Sequence, residues 1–307
     1  MINIAIIGIG YWGEKLLRNF KKLDEVKIKY LCDLKYSQEE KNQEPKIVNN
    51  YKEILKDSAI NAVIIATDIP THYQIVKDSL LAGKNVFVEK LLSLDPEQAK
   101  ELINLAKEKK LVLFVDYTFL YSSAVKEIKN IIKSGRIGKV FSIRANRLNF
   151  GKFQKNNDVI ADLLSHDISI LYYLLEDSPK EVLSLSSKNF QDDSDDYATI
   201  LIKYNSGVIA NINLSWINYE KERKYYISGT KGMVIWDDLE PENKIKLIED
   251  SGRISFPKLD LSAEPLYKVC QDFVRIFEKG IYSSSNNKIS LEAVKIYKLI
   301  NKNKKNE

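Results

Sequence analysis

Residues 2–20 read INIAIIGIGYWGEKLLRNF, and this stretch decides the fold of the first part of the chain. Ile2 to Ile7 form an unbroken apolar run, the pattern of a strand buried on both faces. Gly8-Ile9-Gly10-Tyr11-Trp12-Gly13 follows at once and fits G-x-G-x-x-G. From about Trp12 to Lys22 the pattern becomes helical. Such a glycine pattern is weak alone, but between a strand and a helix it has a mechanism. The glycines permit a tight turn and let the backbone approach a pyrophosphate, whose charge the N–H groups of the helix start would bind. A glycine turn that only joins strand to helix is the alternative.

Asp33 ends the next strand (Val26 to Cys32), 20 residues after Gly13. An acidic side chain there accepts hydrogen bonds from a ribose and repels a 2′-phosphate. The expected cofactor is therefore NAD, with NADP disfavoured, although Lys35 nearby leaves NADP open. Gly8, Gly10, Tyr11, Trp12, Gly13 and Asp33 are the candidate cofactor residues.

Further along, a short helix (Tyr51 to Lys56) precedes a second buried strand, Ala62 to Ala66. A helix (Pro70 to Ala82) opens with proline and closes at Gly83. Asn85 to Val88, Pro96 to Lys109 and Leu111 to Val115 continue as strand, helix and strand. This alternation predicts a doubly wound parallel sheet. After about Tyr117 the pattern changes. A helix (Ala124 to Lys133), a long strand (Lys139 to Asn149) and a helix (about Val159 to Leu175) come first. Strands follow at Val182 to Ser187, Tyr197 to Tyr204, Val208 to Ile217, Lys224 to Ser228, Met233 to Asp237 and Lys244 to Ile248. Asn205-Ser206-Gly207 and Lys231-Gly232 link neighbours as hairpins. Helices at about Glu264 to Lys279 and Ser290 to Lys302 end the chain. Two domains are expected. Residues 1–117 form an α/β domain. Residues 118–307 form an α+β domain on a large, mostly antiparallel open sheet, with the last helix free to pack back on the first domain.

A chain of 307 residues suits two domains. No apolar run approaches the ~20 residues of a membrane span. Met1 to Gly8 carry no basic leader and do not read as a signal peptide. Cys32 and Cys270 lie far apart without metal-ligand spacing, so no metal site is expected and a reducing cytoplasm is the natural compartment. The net charge of +5 comes from lysines scattered along helices. Without a basic stripe and interleaved aromatics, it reads as a solvated surface rather than a nucleic-acid site.

The chain has two histidines. His72 follows Pro70 near the carboxyl end of the parallel sheet, where ligands of such folds bind, and a capping or packing role is equally open. His166 shares one helical stripe with Asp162, Ser165, Ser169 and Tyr173, while leucines and isoleucines fill the rest. Such a stripe faces either a cavity or a buried network. Asp167 falls on the apolar side and is expected to be structural and paired. Lys90 follows Glu89 at the end of strand NVFV. It is either a surface lysine or, beside a nicotinamide, a group that hydrogen-bonds a substrate hydroxyl and shuttles its proton.

Together the glycine motif, ATDIPTHYQIV (66–76), AGKNVFVEK (82–90), SGRIGKV (134–140) and DLLSHDISIL (162–171) resemble, in order and spacing over nearly the whole chain, the glucose–fructose oxidoreductase / inositol dehydrogenase / rhizopine-catabolism family, Gfo/Idh/MocA. The resemblance implies a Rossmann domain, NAD-dependent oxidoreduction, and catalytic roles for Lys90, Asp162 and His166. It also places Thr67, His72 and Glu89 along the cofactor site. YWGEKLLRNF (11–20), VDYTFLYSSAV (115–125), NRLNFGKF (146–153), LSW (214–216) and SGTKGMVIWDD (228–238) are similar to a narrower branch acting on sugar nucleotides, among them UDP-N-acetyl-glucosaminuronate. On that resemblance Arg147 and Asn149 are candidate substrate contacts, with exposed strand-end residues as the alternative. The sequence departs from the family at Leu91, where proline is usual, at Ser122-Ser123 and at Leu164, without removing a catalytic side chain.

The expected function is hydride transfer between a nicotinamide and a hydroxyl-bearing carbon of a small sugar-like substrate, in a cleft between the domains. A polyol dehydrogenase, an aldose or keto-sugar reductase, and a non-catalytic NAD-binding sensor are the rivals. Tyr197, Thr199, Leu201 and Lys203 alternate with Ala198, Ile200 and Ile202, so both faces of the second sheet are partly apolar. One face is expected to pair with another subunit, giving a homodimer or homotetramer.

Overall fold

The computed structural model describes residues 1–35, 45–151, 153, 158–190, 194–280 and 285–304. The chain divides into two compact units: Met1–Thr118 with Ala263–Lys295, and Phe119–Ser262 with Ile296–Glu307.

The first unit runs β1 (Ile2–Ile7), α1 (Tyr11–Phe20), β2 (Val26–Cys32), β3 (Lys46–Val48), α2 (Tyr51–Lys56), β4 (Ala62–Ile65), α3 (Ile69–Leu81), β5 (Asn85–Val88), α4 (Pro96–Glu108) and β6 (Leu113–Val115). Its six strands are all parallel, in the order β3-β2-β1-β4-β5-β6. The continuous apolar runs of β1 and β4 are buried throughout because helices cover both faces of such a sheet. Strand order reverses direction between β1 and β4, which makes their carboxyl ends the topological switch point of the sheet. Three-residue β3 is too short to show a period and is not expected from the sequence.

The second unit runs from a short 3₁₀ turn (Thr118–Tyr121) through α5 (Ser123–Lys133), β7 (Val140–Phe150), α6 (Val159–Leu175), β8 (Pro179–Ser187), β9 (Tyr197–Tyr204), β10 (Ile209–Ser215), β11 (Ile217–Gly229), β12 (Gly232–Asp237), β13 (Ile245–Glu249) and β14 (Ile254–Ser255). The sheet order is β14-β13-β12-β11-β7-β10-β9-β8. The hairpin neighbours expected from sequence are present. The stretch read as one strand, Val208 to Ile217, breaks at Trp216 into β10 and the start of β11. Between those two strands lies β7, parallel to β10 and antiparallel to β11. Adjacency in sequence therefore fails at the centre of the sheet, where a long strand from earlier in the chain supplies the pairing. Ala198, Ile200, Ile202, Ala210, Ile212 and Leu214 are buried on the face that meets α6. At the start of α6, Asp158 accepts from the Ala161 N–H at 2.6 Å, as an N-cap does. At its end, the buried Lys129 ammonium donates to the Leu174 carbonyl at 2.9 Å and lies 2.9 Å from Glu176.

After β14 come α7 (Pro265–Glu278) and α8 (Ser285–Lys304). Residues 118–307 were expected to form one domain, yet α7 belongs to the first unit. Its Phe273 ring lies 5.5 Å from Phe87, 5.8 Å from Phe114 and 6.2 Å from Phe20. Periodicity reveals an apolar face on α7 but not which core accepts it. Among the described residues no helix is long and apolar enough to cross a membrane.

Candidate active site

The glycine turn sits at the switch point of the parallel sheet, and its geometry explains its composition. Gly8 has φ +89, and a Cβ there would lie 2.7 Å from the Ala66 carbonyl group and 2.9 Å from Thr67 Cγ2. A Cβ on Gly13 would stand 1.9 Å from the Gly8 carbonyl oxygen. Gly10 differs, because its Cβ would meet nothing within 4 Å. The backbone at Gly10 thus faces open space at the point where α1 begins without a side-chain cap. These residues fit the pyrophosphate of a dinucleotide: an open glycine backbone against the positive end of a helix. Tyr11 is exposed and meets Trp12 edge-on at 5.8 Å, with the Lys15 ammonium 4.3 Å from the Tyr11 ring. Asp33 Oδ2 accepts from the Ile9 N–H at 2.8 Å, and the Lys35 ammonium donates to the Ile9 carbonyl at 3.0 Å. The carboxylate therefore sits against the glycine turn, beside the place a ribose would take. Thr67 is half-buried, and its hydroxyl accepts from Thr71 at 2.7 Å.

Lys90 is 8% exposed at the carboxyl end of β5. The Glu89 N–H donates to Ile65 and the Asp116 N–H to Val88, each at 2.9 Å, so both residues extend the sheet by one rung. Their carboxyls meet at the ends of the adjacent strands β5 and β6. Burial, then the neighbouring Asp116, pushes Glu89 well above the carboxylate range. Burial pushes Asp116 up to about 6, opposed first by the Thr118 hydroxyl, which donates to it at 2.7 Å. The two carboxyls hydrogen-bond each other, which a proton held by one of them allows. The positive charge of Lys90 favours the ionised form of both.

His72, a candidate for lining the cofactor site, is held inside the first unit. The ring is 0% exposed. Nδ1 lies 2.6 Å from the Leu91 carbonyl and Nε2 2.9 Å from the Thr67 carbonyl. Burial holds the imidazole below its usual pKa, against the pull of the two carbonyls. A neutral ring donates to one carbonyl at a time. His72 thus lies between the turn after β4 and the residue that follows Lys90, within reach of a carbonyl from each. Glu89, a candidate for the same role, has its carboxyl buried beside Asp116.

In the second unit, Asp162 and His166 are the half-buried positions within the run 159–171 of α6. The stripe read from sequence is therefore open at these two residues and, further along, at Tyr173. Ser165 and Ser169 are buried, and the Ser169 hydroxyl donates to the His166 carbonyl at 2.7 Å. The Trp216 indole N–H donates to Asp162 Oδ2 at 3.3 Å. Phe119 meets the His166 ring edge-on at 5.1 Å, and the Arg147 guanidinium lies 4.6 Å from the centre of the same Phe119 ring.

Arg147, a candidate substrate contact, belongs to a buried ion pair. It is buried and bidentate to Asp167, at 2.9 and 3.1 Å, and the Tyr225 hydroxyl donates to the same carboxylate. The pair occupies two of the five guanidinium N–H donors. Asp167 is paired, as its place on the apolar side of the helix requires. Asn149 donates to the Ser215 carbonyl at 3.1 Å from a half-buried position. Sequence reading assigned no role to Asp116, Phe119, Trp216 or Tyr225. Asp116 carries a signal in hindsight, a carboxylate ending the strand next to Glu89. The aromatic residues carry none, since aromatics in strands usually mean core.

Residues 2–117 match the model of an oxidoreductase family with an NAD-binding Rossmann fold, and residues 125–235 match a GFO/IDH/MocA C-terminal domain. The chain belongs to the GFO/IDH/MocA family. Membership makes it an oxidoreductase whose first unit is an NAD-binding Rossmann fold, and NADP remains compatible with that fold. Relatives in the family include myo-inositol 2-dehydrogenase of Thermotoga maritima, 23% identical over 82% of this chain and 79% of that one. UDP-N-acetylglucosamine 3-dehydrogenase of Acidithiobacillus ferrooxidans is 29% identical over 55% of this chain and 52% of its own. A solved structure of that enzyme superposes with a TM-score of 0.82, covering 97% of this chain and 96% of that one. A 3-ketoreductase from Actinomadura kijaniata, solved with TDP-benzene and NADP, superposes at 0.87 with 17% identity over 98% and 96% of the two chains. At such identity the superpositions show the shared GFO/IDH/MocA fold.

Proposed function

We propose that the enzyme moves a hydride between NAD and a secondary hydroxyl or keto carbon of a nucleotide-linked sugar, as part of polysaccharide biosynthesis. The observation that carries this reading is the opening of an otherwise buried helix at Asp162 and His166 alone among its first residues. An apolar helix leaves an Asp and a His at i, i+4 open to solvent at a cost in burial, which a role in binding explains. Bound NAD would supply the hydride acceptor. The Gly8–Gly13 turn and the start of α1 hold its pyrophosphate, and Asp33 its ribose, which disfavours a 2′-phosphate. Lys90, in its neutral amine form, takes the hydroxyl proton as the carbon–hydrogen bond breaks and returns it in reduction. His166 and Asp162 hydrogen-bond the sugar hydroxyls and orient the reacting carbon, Asp162 being steadied by Trp216. The sugar-nucleotide choice is supported by the UDP-N-acetylglucosamine 3-dehydrogenase relative.

A second reading, polyol or inositol dehydrogenase, is favoured by the greater coverage of the Thermotoga relative, 82% of this chain. Absorbance of reduced nicotinamide separates the two. NAD is supplied with UDP-N-acetyl-glucosaminuronate, UDP-N-acetylglucosamine, myo-inositol or glucose. A rise with a nucleotide-linked sugar alone is the expected result. A rise with inositol or glucose discards the sugar-nucleotide reading and keeps the family.

The sheet of the second unit also bears on assembly. Leu183, Leu185, Leu201 and Ile209 alternate with the buried positions and are exposed on its other face. This face is proposed to pair with a second copy, giving a homodimer or homotetramer. Light scattering that finds only a 35.4 kDa particle discards this assembly.

A further inference from the structure

Four aromatic rings gather at one end of the second unit, and three are exposed: Tyr219 by 84%, Phe190 by 58% and Phe150 by 43%. Tyr219 and Phe150 stack at 4.5 Å with 18° between their planes. Phe190 meets Phe150 edge-on at 6.1 Å, and Phe153 stacks on Phe190 at 6.1 Å. Phe153 in turn meets the buried Trp216 at 6.3 Å. Trp216 is the residue whose indole donates to Asp162. A chain of ring contacts therefore runs from the candidate catalytic helix to the surface.

The cluster is built into the fold rather than left over from it. Between the pairs Ile217↔Phe150 and Glu222↔Leu148, β11 carries four residues where β7 has one. This bulge lifts residues 218–221 out of the ladder and lays Tyr219 flat over Phe150, as bulges re-aim side chains. Phe190 is fixed from below by Asp196, a fully buried carboxylate. Its Oδ2 accepts from the Asn189 and Phe190 N–H groups at 2.9 and 2.6 Å, and its Oδ1 from the Asn189 amide at 2.8 Å. The Asp196 carbonyl accepts from the Trp216 N–H at 2.9 Å. One buried residue thus positions both Phe190 and Trp216. Burial raises the Asp196 pKa, but these donors outweigh it and hold the group ionised.

An ordered apolar patch of this kind marks a binding site. One face of Tyr219 is covered by Phe150 and the other is open, which is a shelf for one more flat ring. We propose that Tyr219 and Phe150, backed by Phe190 and Phe153, stack the nucleobase of a nucleotide-linked substrate whose sugar end is held by Asp162 and His166. The proposal rests on the sugar-nucleotide reading above and assigns the two ends of that substrate to different residues. The sugar hydroxyls need the polar pair. The base presents a π-face, which aromatic side chains bind whatever its hydrogen-bonding edge.

The test is calorimetric titration of the full chain with UDP alone, comparing wild type with Tyr219→Ala and Tyr219→Phe. Tyr219 is exposed, so neither change disturbs the core. Stacking on one base predicts about tenfold weaker UDP binding in Tyr219→Ala and near-full binding in Tyr219→Phe. Steady-state kinetics should show the loss in KM, with kcat kept. Equal UDP affinity in wild type and Tyr219→Ala overturns the platform and leaves the sugar-nucleotide reading intact. Failure of wild type to bind UDP overturns that reading, and the platform with it. Light scattering gives a further check. If Tyr219→Ala splits an oligomer, the rings are a subunit contact and the proposal is wrong.

Discussion

In the second unit, Arg147, Asp167 and Tyr225 are buried together, and the carboxylate accepts from both other side chains. In the first unit, Glu89 and Asp116 are buried as well, yet one oxygen of each has no hydrogen-bond partner. Both clusters take charge out of water, where it is costly unless matched. The matched one, with its guanidinium held bidentate, is a device of the fold. The unmatched one instead raises the proton affinity of both carboxyls beside Lys90. The difference teaches that burial alone does not mark chemistry, and that incomplete pairing at the carboxyl ends of parallel strands is the better sign.

This contrast can be broken by substitutions. Lys90→Ala should lower turnover by ~10²–10⁴-fold while NAD binding and thermal stability stay near wild type. A variant that instead melts early makes Lys90 one more structural group. Asp167→Ala should cost about 3–5 kcal/mol in denaturant unfolding, since it strands the buried Arg147 charge. A loss of activity at unchanged stability reverses the assignment of the two clusters.

Asp116→Asn sharpens the contrast through pH. Asp116 titrates near 6 in the folded chain against about 3.9 unfolded, so its folded pKa is raised. Its contribution to stability is present below the unfolded value and lost as pH rises toward 6. The variant should lose less stability than wild type between about pH 4 and pH 6, by ~1–3 kcal/mol. His72 acts in the opposite sense. Its folded pKa is lowered, so its contribution is present above about 6.5 and lost as pH falls. Melting curves in which wild type and Asp116→Asn run parallel over that range show that the carboxyl pair does not titrate as described.

Much of this was legible in the chain itself. The strand–glycine–helix reading placed Gly8, Gly10 and Gly13 where backbone geometry forbids or forgoes a Cβ. The helical stripe grouped Asp162 and His166 with Ser165, Ser169 and Tyr173, and assigned Asp167 to the paired, apolar side. The stripe did not separate the serines, because Ser165 and Ser169 share the face of His166 but turn into the packing. Arg147 and His72 have partners that the sequence does not show, for a related reason. A strand-end arginine and a helix-start histidine look ready to meet a ligand, and only a packed structure shows a carboxylate or a carbonyl already opposite them.

The sequence by itself determined what depends on a few neighbouring residues: strand and helix periods, the glycine turn, the helix boundaries and the polar stripe on α6. Tertiary structure alone decided the insertion of β7 between β10 and β11, the transfer of α7 to the first unit, and the partners of the buried charges. Arg147 and Asp167 are 20 residues apart, and Asp167 and Tyr225 58. Periodicity is a local property with a range of one or two turns. Which distant side chains meet is set by packing of the whole core, where each pairing depends on all the others.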